Sequence, residues 1–124
     1  MVKTLHFSSS VELLRFPVES IVYISANGNY SIIKLVDGSD YLLTMQLGQI
    51  ESHIHTVSDD LLDRFIRVGK SLIINRGYVT QINPSRQKLV LSDGIRFRHE
   101  VSGSREALKG LKDYVERRSN EERD

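Results

Sequence analysis

The segment "FIRVGKSLIIN" (residues 65–75) contains Gly69-Lys70-Ser71, the three residues with which a phosphate-binding P-loop ends. A P-loop also has a glycine five residues before Gly69, but this chain has Arg64 at that position. It further needs a helix after the lysine, because the N-terminus of that helix faces the phosphate. The residues that follow are Leu72-Ile73-Ile74, and such a branched apolar run is typical of a β-strand. The segment is therefore not predicted to hold a nucleotide, and Lys70 must have another partner.

Other residues that could do chemistry do not form a recognisable site. His53 and His55 lie two residues apart in a predicted helix, where they would not share a face, so a metal site is not expected. Asp59, Asp60 and Asp63 could hold Mg²⁺ or accept a phosphoryl group, but a phosphoacceptor aspartate normally ends a strand of a parallel α/β sheet. We interpret this acidic segment as a solvated loop that caps a helix turn. Without a nucleophile beside a base, we expect no enzyme, no cofactor and no small-molecule substrate.

The composition is that of one globular domain. The 124 residues are 40% apolar and 27% charged, which provides both a core and a hydrated exterior. Cysteine is absent, so disulfides and thiolate metal sites are excluded. The N-terminal residues "MVKTLHFSSS" lack the apolar region of a signal peptide, and the longest unbroken apolar run, Ile21–Ile24, is far too short to cross a membrane. We expect a cytoplasmic protein, or a fragment of one, without a membrane partner.

The charge is unevenly distributed along the chain. The net charge is only +1, yet residues 1–63 hold 3 Lys/Arg and 8 Asp/Glu, whereas residues 64–112 hold 11 Lys/Arg and 3 Asp/Glu. A segregated basic half is the electrostatic pattern expected of a protein that binds a polyanion. The same residues could instead form the solvated outer faces of strands, and charge alone does not choose between these interpretations.

Most of the chain is predicted to form short antiparallel β-strands. Asn27-Gly28, Asp37-Gly38 and Asp93-Gly94 supply the positive φ that tight hairpin turns need. The segments around them are short and rich in Val, Ile, Tyr and Phe, which is typical of antiparallel strands rather than of βαβ units. The predicted strands cover residues 11–16, 20–26, 30–36, 40–45, 65–68, 71–75, 78–82, 87–92 and 95–99.

Two segments have helical periodicity instead. Apolar residues at positions 47, 50 and 54 predict a short amphipathic helix over residues 46–55. Apolar residues at positions 108, 111 and 115 predict a C-terminal helix, with Ser102 or Ser104 as its N-cap. The predicted fold class is therefore mainly β, with a single domain over residues 1–117. The charged tail over residues 118–124 has no apolar residue and is expected to fray.

The order of these segments resembles the LytTR-type DNA-binding domain, the output module of many bacterial response regulators. The resemblance runs from about Val11 to Val115, nearly the whole chain, and it depends on the joint order and spacing of the parts. The most specific parts are "IVYISANGNYSIIKLVDG" (21–38), "FIRVGKSLIINRGYVTQI" (65–82), "LVLSDG" (89–94) and "VSGSREALKGL" (101–111). The second part matches the family pattern at Phe65, Arg67, Ser71, Asn75, Tyr78 and Val79.

The chain also departs from the family pattern. Where the family usually has His-Arg-Ser, this chain has Gly69-Lys70-Ser71. Lysine keeps the positive charge but lacks the planar fork with which arginine contacts guanine bidentately. Near the last helix the family often has Ser-Arg, whereas here Gly103 follows Ser102 and Arg105 comes two positions later. These 124 residues do not include the receiver domain that usually precedes this module.

The resemblance implies a fold and a function. The fold would be an elongated set of antiparallel β-sheets with one short internal helix and a C-terminal helix. The function would be sequence-specific binding of double-stranded DNA by a bacterial transcriptional regulator of a two-component system. Loops at one edge of the sheets, here residues 27–31, 69–71 and 102–105, would enter successive major grooves. A second copy of the domain would occupy an adjacent direct repeat. The residues implicated are Asn29, Ser31, Arg67, Lys70, Ser71 and Arg105.

The types of these residues suit DNA contact. Asn29 and Ser31 carry short donor and acceptor groups that can contact base edges. Lys70 at a loop tip would reach a phosphate or a single guanine acceptor. The other three are expected to contact phosphates, and Arg105 would do so beside the free backbone N–H groups of a helix N-terminus.

Structural roles compete with these assignments. Asn29 could stabilise its turn, Ser31 could be an ordinary strand residue, and Arg67 could pair with an acid across the sheet. The alternative function is a protein-interaction module that grips a partner through an exposed strand edge and does not bind DNA. RNA binding through an aromatic sheet face is less favoured, because most of the five Tyr and four Phe are at predicted core positions.

Overall fold

The computed structural model describes residues 3–57 and 59–122, and in this part of the chain the strands form three antiparallel sheets. The strands are β1 (Thr4–Ser8), β2 (Leu13–Pro17), β3 (Ile21–Asn27), β4 (Tyr30–Leu35), β5 (Asp40–Leu43), β6 (Phe65–Val68), β7 (Leu72–Asn75), β8 (Val79–Asn83), β9 (Lys88–Ser92) and β10 (Arg98–Ser102). The helices are α1 (Leu47–Val57), α2 (Asp59–Arg64) and α3 (Arg105–Glu122), with 3₁₀ turns at Val18–Ser20 and Arg76–Tyr78.

The five-stranded sheet, with strand order β5-β4-β3-β7-β6, lies at the centre of the molecule. Its first hairpin joins β3 to β4, and Asn27 pairs with Tyr30, so that Gly28 and Asn29 remain at the tip. Gly28 has a φ of +65°, a conformation that glycine adopts without steric cost. The predicted Asn-Gly turn is therefore present, and it fixes the register of the hairpin.

Each face of the five-stranded sheet is covered by a separate hydrophobic core. Hairpin β1-β2, α1 and α2 pack on one face, while α3 and the three-stranded sheet (order β10-β9-β8) pack on the other. In β7 the side chain of Ile73 enters the first core, and those of Leu72 and Ile74 enter the second. This alternation is the pleat of a strand, and it explains why every residue of β7 is buried and why Leu72, Ile73 and Ile74 are all apolar.

The predicted mainly β architecture, with an internal helix and a C-terminal helix, is confirmed. Two elements were not predicted. Strand β1 pairs with β2 and directs Leu5 and Phe7 into the first core. Helix α2 occupies most of the acidic segment that we interpreted as a solvated loop, and that interpretation was wrong. The helix forms because Leu61, which is only 2% exposed, packs in the first core and gives the segment an apolar face.

Strand β10 begins at residue 98 rather than at residue 95, because the side chain of Asp93 organises the preceding loop. Its Oδ1 accepts the backbone N–H groups of Ile95, Arg96 and Phe97 at 3.0, 2.7 and 3.2 Å. Burial acts to raise the pKa of this carboxyl, but these three N–H groups and the Arg96 side chain hold the pKa well below its ordinary range. The predicted tight turn is therefore a longer loop whose N–H groups are occupied by a carboxylate.

Helix α3 continues to Glu122, beyond residue 117, after which the charged tail was predicted to begin. The carboxylate of Asp63 in α2 holds this part of the helix in place. It accepts the Tyr114 hydroxyl at 2.7 Å and pairs with the Arg118 guanidinium at 3.3 Å. Residues 1, 2, 58, 123 and 124 lie outside the described residues, so the outer ends of the predicted domain and tail are not described.

The ring of His99 in β10 packs against Tyr23 of the central sheet and against Phe97, at centroid distances of 5.8 and 5.6 Å. Its Nε2 is buried without a hydrogen-bond partner among the described residues. Burial lowers the pKa of His99 below its ordinary value of 6.5, the charge of Lys34 lowers it further, and Asp40 acts in the opposite direction. The folded protein therefore favours the neutral ring.

We predict that this histidine makes the stability of the protein sensitive to mild acid. The unfolded chain takes up the proton near pH 6.5 while the folded chain resists it, so the free energy of unfolding should fall as pH drops below that value. Replacing His99→Phe keeps an aromatic ring and should reduce the fall. Denaturant unfolding at about pH 7.5 and about pH 5.5 measures it. An equal fall in the free energy of unfolding of the native protein and of His99→Phe would show that His99 is not the source of the acid sensitivity.

Candidate nucleic-acid interface

Two of the three segments that were expected to contact DNA are neighbours at one edge of the five-stranded sheet. Strands β3 and β7 are adjacent and antiparallel, so the end of β3 lies beside the start of β7. The backbone N–H of Ala26 donates to the carbonyl oxygen of Ser71 at 2.9 Å. This bond places the hairpin tip at residues 28–29 next to the β6-β7 turn at residues 69–71.

The third segment joins the same edge through α3. Ser104 is the N-cap of this helix, because its hydroxyl accepts the N–H of Ala107 at 3.1 Å. The backbone of Gly69 approaches this first turn so closely that a Cβ on Gly69 would lie 3.4 Å from the Cβ of Ala107. A Cβ on Gly103 would lie 3.2 Å from the side chain of Leu108, which accounts for the glycine at this departure from the family pattern. We call the surface made by residues 27–31, 69–71 and 102–105 the loop edge.

Lys70 occupies the tip of the β6-β7 turn. Val68 pairs with Leu72, which leaves residues 69–71 as the turn, and Gly69 has a φ of +64° that permits the reversal. The Lys70 side chain is exposed and, within the described residues, no acidic group pairs with it. An unpaired ammonium group at a turn tip is well placed to meet a phosphate or a guanine acceptor.

Arg67 holds this turn rather than pointing away from it. Its Nε donates to the carbonyl oxygen of Gly69 at 3.0 Å, and its Nη2 donates to the carbonyl oxygen of Lys70 at 3.1 Å. Its Nη1 pairs with the carboxylate of Glu51 in α1 at 3.2 Å. The guanidinium thus ties the turn carbonyls to α1, which is the structural alternative that the sequence left open, with α1 supplying the acid.

Ser31 and Asn29 differ in their access to solvent. Ser31 is fully buried, and its hydroxyl donates to the carbonyl oxygen of Met45 at 2.7 Å. A hydroxyl in this position ties β4 to the segment before α1 and does not face a ligand. Asn29 is exposed at the hairpin tip, where its Oδ1 accepts Gln46 Nε2 at 3.3 Å. Of these two predicted residues, the loop edge therefore presents Asn29 alone.

Ser71 and Arg105 are both exposed on the loop edge. Arg105 is the first residue of α3, and in the described part of the chain its guanidinium has no acidic partner. The first N–H groups of a helix have no partners within the helix and carry partial positive charge. Arg105 and the helix N-terminus therefore present positive charge to the same side of the molecule.

The structure adds Arg86, which the sequence places only within the basic half. Arg86 is exposed in the turn between β8 and β9, and its N–H donates to Asn83 Oδ1 at 3.1 Å. The carbonyl oxygen of Gln87 accepts the N–H of Gly103 at 3.3 Å, so this turn borders the loop edge. The signal that could have drawn attention to Arg86 is the turn-forming triplet Asn83-Pro84-Ser85 before it.

Many cations elsewhere in the described chain have acidic neighbours. The pairs are Lys3–Asp60, Lys34–Asp40, Arg67–Glu51, Lys88–Glu100, Arg96–Asp93, Arg98–Glu100, Lys112–Glu116 and Arg118–Asp63. Lys70, Arg86 and Arg105 have no such neighbour among the described residues, and the same holds for Arg15, Lys109 and Arg117 elsewhere. Three uncompensated positive charges therefore lie together on or beside the loop edge, where they favour an anionic partner.

Other kinds of site receive no support from the described residues. They contain no group of three or more histidine or acidic side chains placed to hold a metal ion. The Asp63 carboxylate in the acidic segment is instead bonded to Tyr114 and Arg118. None of the described helices is both long and apolar enough to span a membrane.

The fold and the cationic loop edge define a β-rich domain of the kind that binds a polyanion. The family model of the LytTr DNA-binding domain matches residues 12–116, so the chain belongs to the LytTR family and the resemblance is confirmed. A solved structure of the LytTr DNA-binding domain of a response regulator from Bacillus cereus has the same fold, with a TM-score of 0.58 and 17% sequence identity. That comparison covers 89% of this chain and 94% of the other chain. A comparison with curated proteins gave no match.

Proposed function

We propose that this domain binds double-stranded DNA sequence-specifically as part of a bacterial transcriptional regulator, and that the loop edge is the surface that contacts the duplex. The observation that carries the proposal is the convergence of three separate segments on one edge, with Lys70, Arg86 and Arg105 free of acidic neighbours in the described chain. Membership of a family of DNA-binding domains supports the same conclusion.

The spacing of the turns suits the major groove. The β3-β4 and β6-β7 turns are two strand spacings apart, which is about 10 Å. A major groove is about 12 Å wide, so both turns fit against one groove and its flanking phosphates. Residues 102–105 and the turn at residues 84–87 extend the surface along the duplex, toward the next groove.

The side chains on the loop edge have different tasks in this proposal. Lys70 contacts a phosphate or a guanine acceptor, and Asn29 contacts a base edge through its amide. Ser71 and Arg105 contact phosphates, the latter together with the N-terminus of α3. Arg86 adds a further phosphate contact beside them.

Two of the residues implicated by the resemblance support the interface without contacting DNA themselves. Arg67 fixes the conformation of the β6-β7 turn through the carbonyls of Gly69 and Lys70. Ser31 is buried, so its task is to hold β4 against the segment that precedes α1. Arg67 and Ser31 therefore determine the positions of the side chains that contact DNA.

A single domain offers few contacts, so we propose that two copies act together. Binding of one copy to one site is expected to be weak. Two copies on adjacent direct repeats, when linked through a common regulator, raise the effective concentration of the second domain and strengthen the binding of both.

Replacing Lys70→Ala tests the proposal. If binding neutralises about four to six phosphates, a plot of log K against log salt should have a slope of about −4 to −5 for the native domain. Loss of a phosphate contact by Lys70 should weaken binding and flatten that slope by about one. If Lys70 contacts a base instead, roughly 1–3 kcal/mol of discrimination at one position should disappear.

The matched control is Lys3→Ala, which removes the same charge at the opposite end of the sheet. The carbonyl oxygen of Lys3 accepts the N–H of Val18, just before β3 begins. The seven residues of β3 separate that end from the loop edge by about 20 Å. Equal affinities and slopes for Lys70→Ala and the native domain would remove Lys70 from the interface.

A further inference from the structure

Gln87 has a backbone conformation that its residue type rarely adopts. Its φ is +55°, whereas the other positive φ angles in the described chain belong to glycines, at positions 28, 38, 69 and 94. A Cβ atom in this left-handed region crowds the backbone, and glutamine lacks the short polar side chain with which asparagine or aspartate tolerates it. The chain therefore carries an unfavourable residue type at this position.

The turn between β8 and β9 imposes the conformation. Asn83 pairs with Lys88, which leaves residues 84–87 as a four-residue turn. The N–H of Gln87 donates to the carbonyl oxygen of Pro84 at 3.1 Å, and the carbonyl oxygen of Gln87 accepts the N–H of Gly103 at 3.3 Å. Both bonds use only the backbone of Gln87, so a glycine would form them without steric cost. The turn itself does not need the glutamine side chain.

The side chain of Gln87 makes no contact that offsets this cost. It is exposed, and among the described residues its amide forms no hydrogen bond. Glu100 is the acid that lies beside it, and this carboxylate is paired with Lys88 at 3.4 Å and with Arg98 at 3.7 Å. The amide of Gln87 is therefore available to a ligand.

The position of Gln87 is that of a contact residue. It lies opposite Gly103 of the loop edge, and the preceding residue, Arg86, is an exposed cation without an acidic neighbour in the described chain. Residues held in rarely populated conformations are concentrated at functional sites. An uncharged amide both donates and accepts, which suits a base edge better than a phosphate. In the major groove, adenine presents the complementary pair, the acceptor N7 and the donor N6 amino group.

We infer that Gln87 is a specificity-determining residue that contacts an adenine in the major groove. Its Nε2 donates to N7, and its Oε1 accepts from the N6 amino group, while Arg86 contacts a neighbouring phosphate. The inference rests on the proposed function and deepens it, because it assigns one base pair of the site to a turn outside the three segments that the resemblance implicates.

Selection from a random-sequence duplex library, with the native domain and Gln87→Gly in parallel, identifies the base. We expect the two proteins to recover the same motif except at one A·T position, where only the native domain keeps its preference. Identical motifs for the two proteins would overturn the inference and leave the proposed function intact. If the native domain recovers no motif, the proposed function fails, and the assignment of Gln87 fails with it.

Gln87→Gly should also affect stability and DNA binding in opposite directions. The melting temperature should rise by up to about 5 °C, because glycine adopts the left-handed conformation freely, although its greater freedom in the unfolded chain offsets part of the gain. The affinity for the duplex that the native domain selects should fall roughly 5- to 150-fold, as expected for one bidentate base contact. The slope of log K against log salt should not change, because an amide neutralises no phosphate.

The matched control is Gln81→Ala, which removes an exposed glutamine from within β8 instead of from the turn. It should bind the selected duplex as tightly as the native domain does. A lower melting temperature for Gln87→Gly would show that the side chain serves the fold, and equal losses of affinity in Gln87→Gly and Gln81→Ala would show that the effect is not local. Either result would overturn the inference.

Discussion

The double variant Lys70→Glu, Arg105→Glu should bind DNA at least about 100-fold more weakly than the native domain at about 0.15 M salt. Each side chain stands on the loop edge without an acidic neighbour in the described chain, so each is free to meet the duplex. Loss of one specific contact costs roughly 1–3 kcal/mol, and two such losses amount to roughly 2–6 kcal/mol. Glutamate adds repulsion from the phosphates, so the effect should exceed that of the two alanine variants.

The control for this prediction reverses two charges elsewhere. Lys3→Glu and Arg98→Glu make the same change in net charge at exposed positions away from the loop edge. Arg98 lies at the start of β10, opposite the end that leads into the loop edge. Titration of both double variants with the same labelled duplex decides between a local and a general charge effect. Equal losses in the two would mean that net charge, and not the loop edge, governs binding.

Replacing Asn75→Ala should lower the free energy of unfolding by about 3 kcal/mol, the largest effect we expect from a single polar residue. Asn75 is fully buried at the end of β7. Its Nδ2 donates to the carbonyl oxygen of Ile21 at 2.8 Å, and its Oδ1 accepts Arg64 Nε at 2.8 Å and the N–H of Gly77 at 3.0 Å. Alanine would leave the buried carbonyl oxygen of Ile21 and the partly buried N–H groups of Arg64 and Gly77 without these partners, and it would also leave a cavity.

Denaturant unfolding followed by circular dichroism measures this cost. Asn83→Ala is the matched control, since Asn83 also accepts a backbone N–H, that of Arg86, but in an exposed turn. We expect that control to lose less than about 1 kcal/mol. A loss of similar size in both variants would show that the buried amide does not tie β7 to β3 and α2. Asn75→Asp keeps the acceptor oxygen but removes the donor. Its free energy of unfolding should lie between those of the native protein and Asn75→Ala only if Arg64 compensates the new negative charge.

The parts of the fold that could be predicted are those governed by local chemistry. The Asn27-Gly28 dipeptide supplies the positive φ of the hairpin, and Gly69 does the same for the β6-β7 turn, although only the former was predicted from its dipeptide. Periodic apolar residues predicted α1 close to its observed bounds and the start of α3, but not the continuation of α3 to Glu122. Helix α2 was missed because the packing of Leu61 stabilises it, and that packing depends on the tertiary core.

The arrangement of the candidate site depends on contacts that no local pattern contains. The burial of Ser31 follows from the path of the segment before α1, which brings the carbonyl of Met45 over its hydroxyl. The role of Arg67 follows from Glu51, sixteen residues earlier, which approaches only when α1 packs on the sheet. The sequence pattern identified the cations correctly as residues of one basic half, but the convergence of three turns came from the family resemblance and from the sheet order.

DNA binding through the loop edge is tested by a selection from sheared bacterial genomic DNA, bound at about 50 mM salt and washed at about 200 mM. The native domain and the Lys70→Glu, Arg105→Glu double variant are compared in parallel. We expect the native domain to recover a shared motif, arranged as direct repeats spaced by about one turn of the duplex, and the double variant to recover none. Retention without a shared motif, or equal recovery by both proteins, would contradict sequence-specific binding through the loop edge.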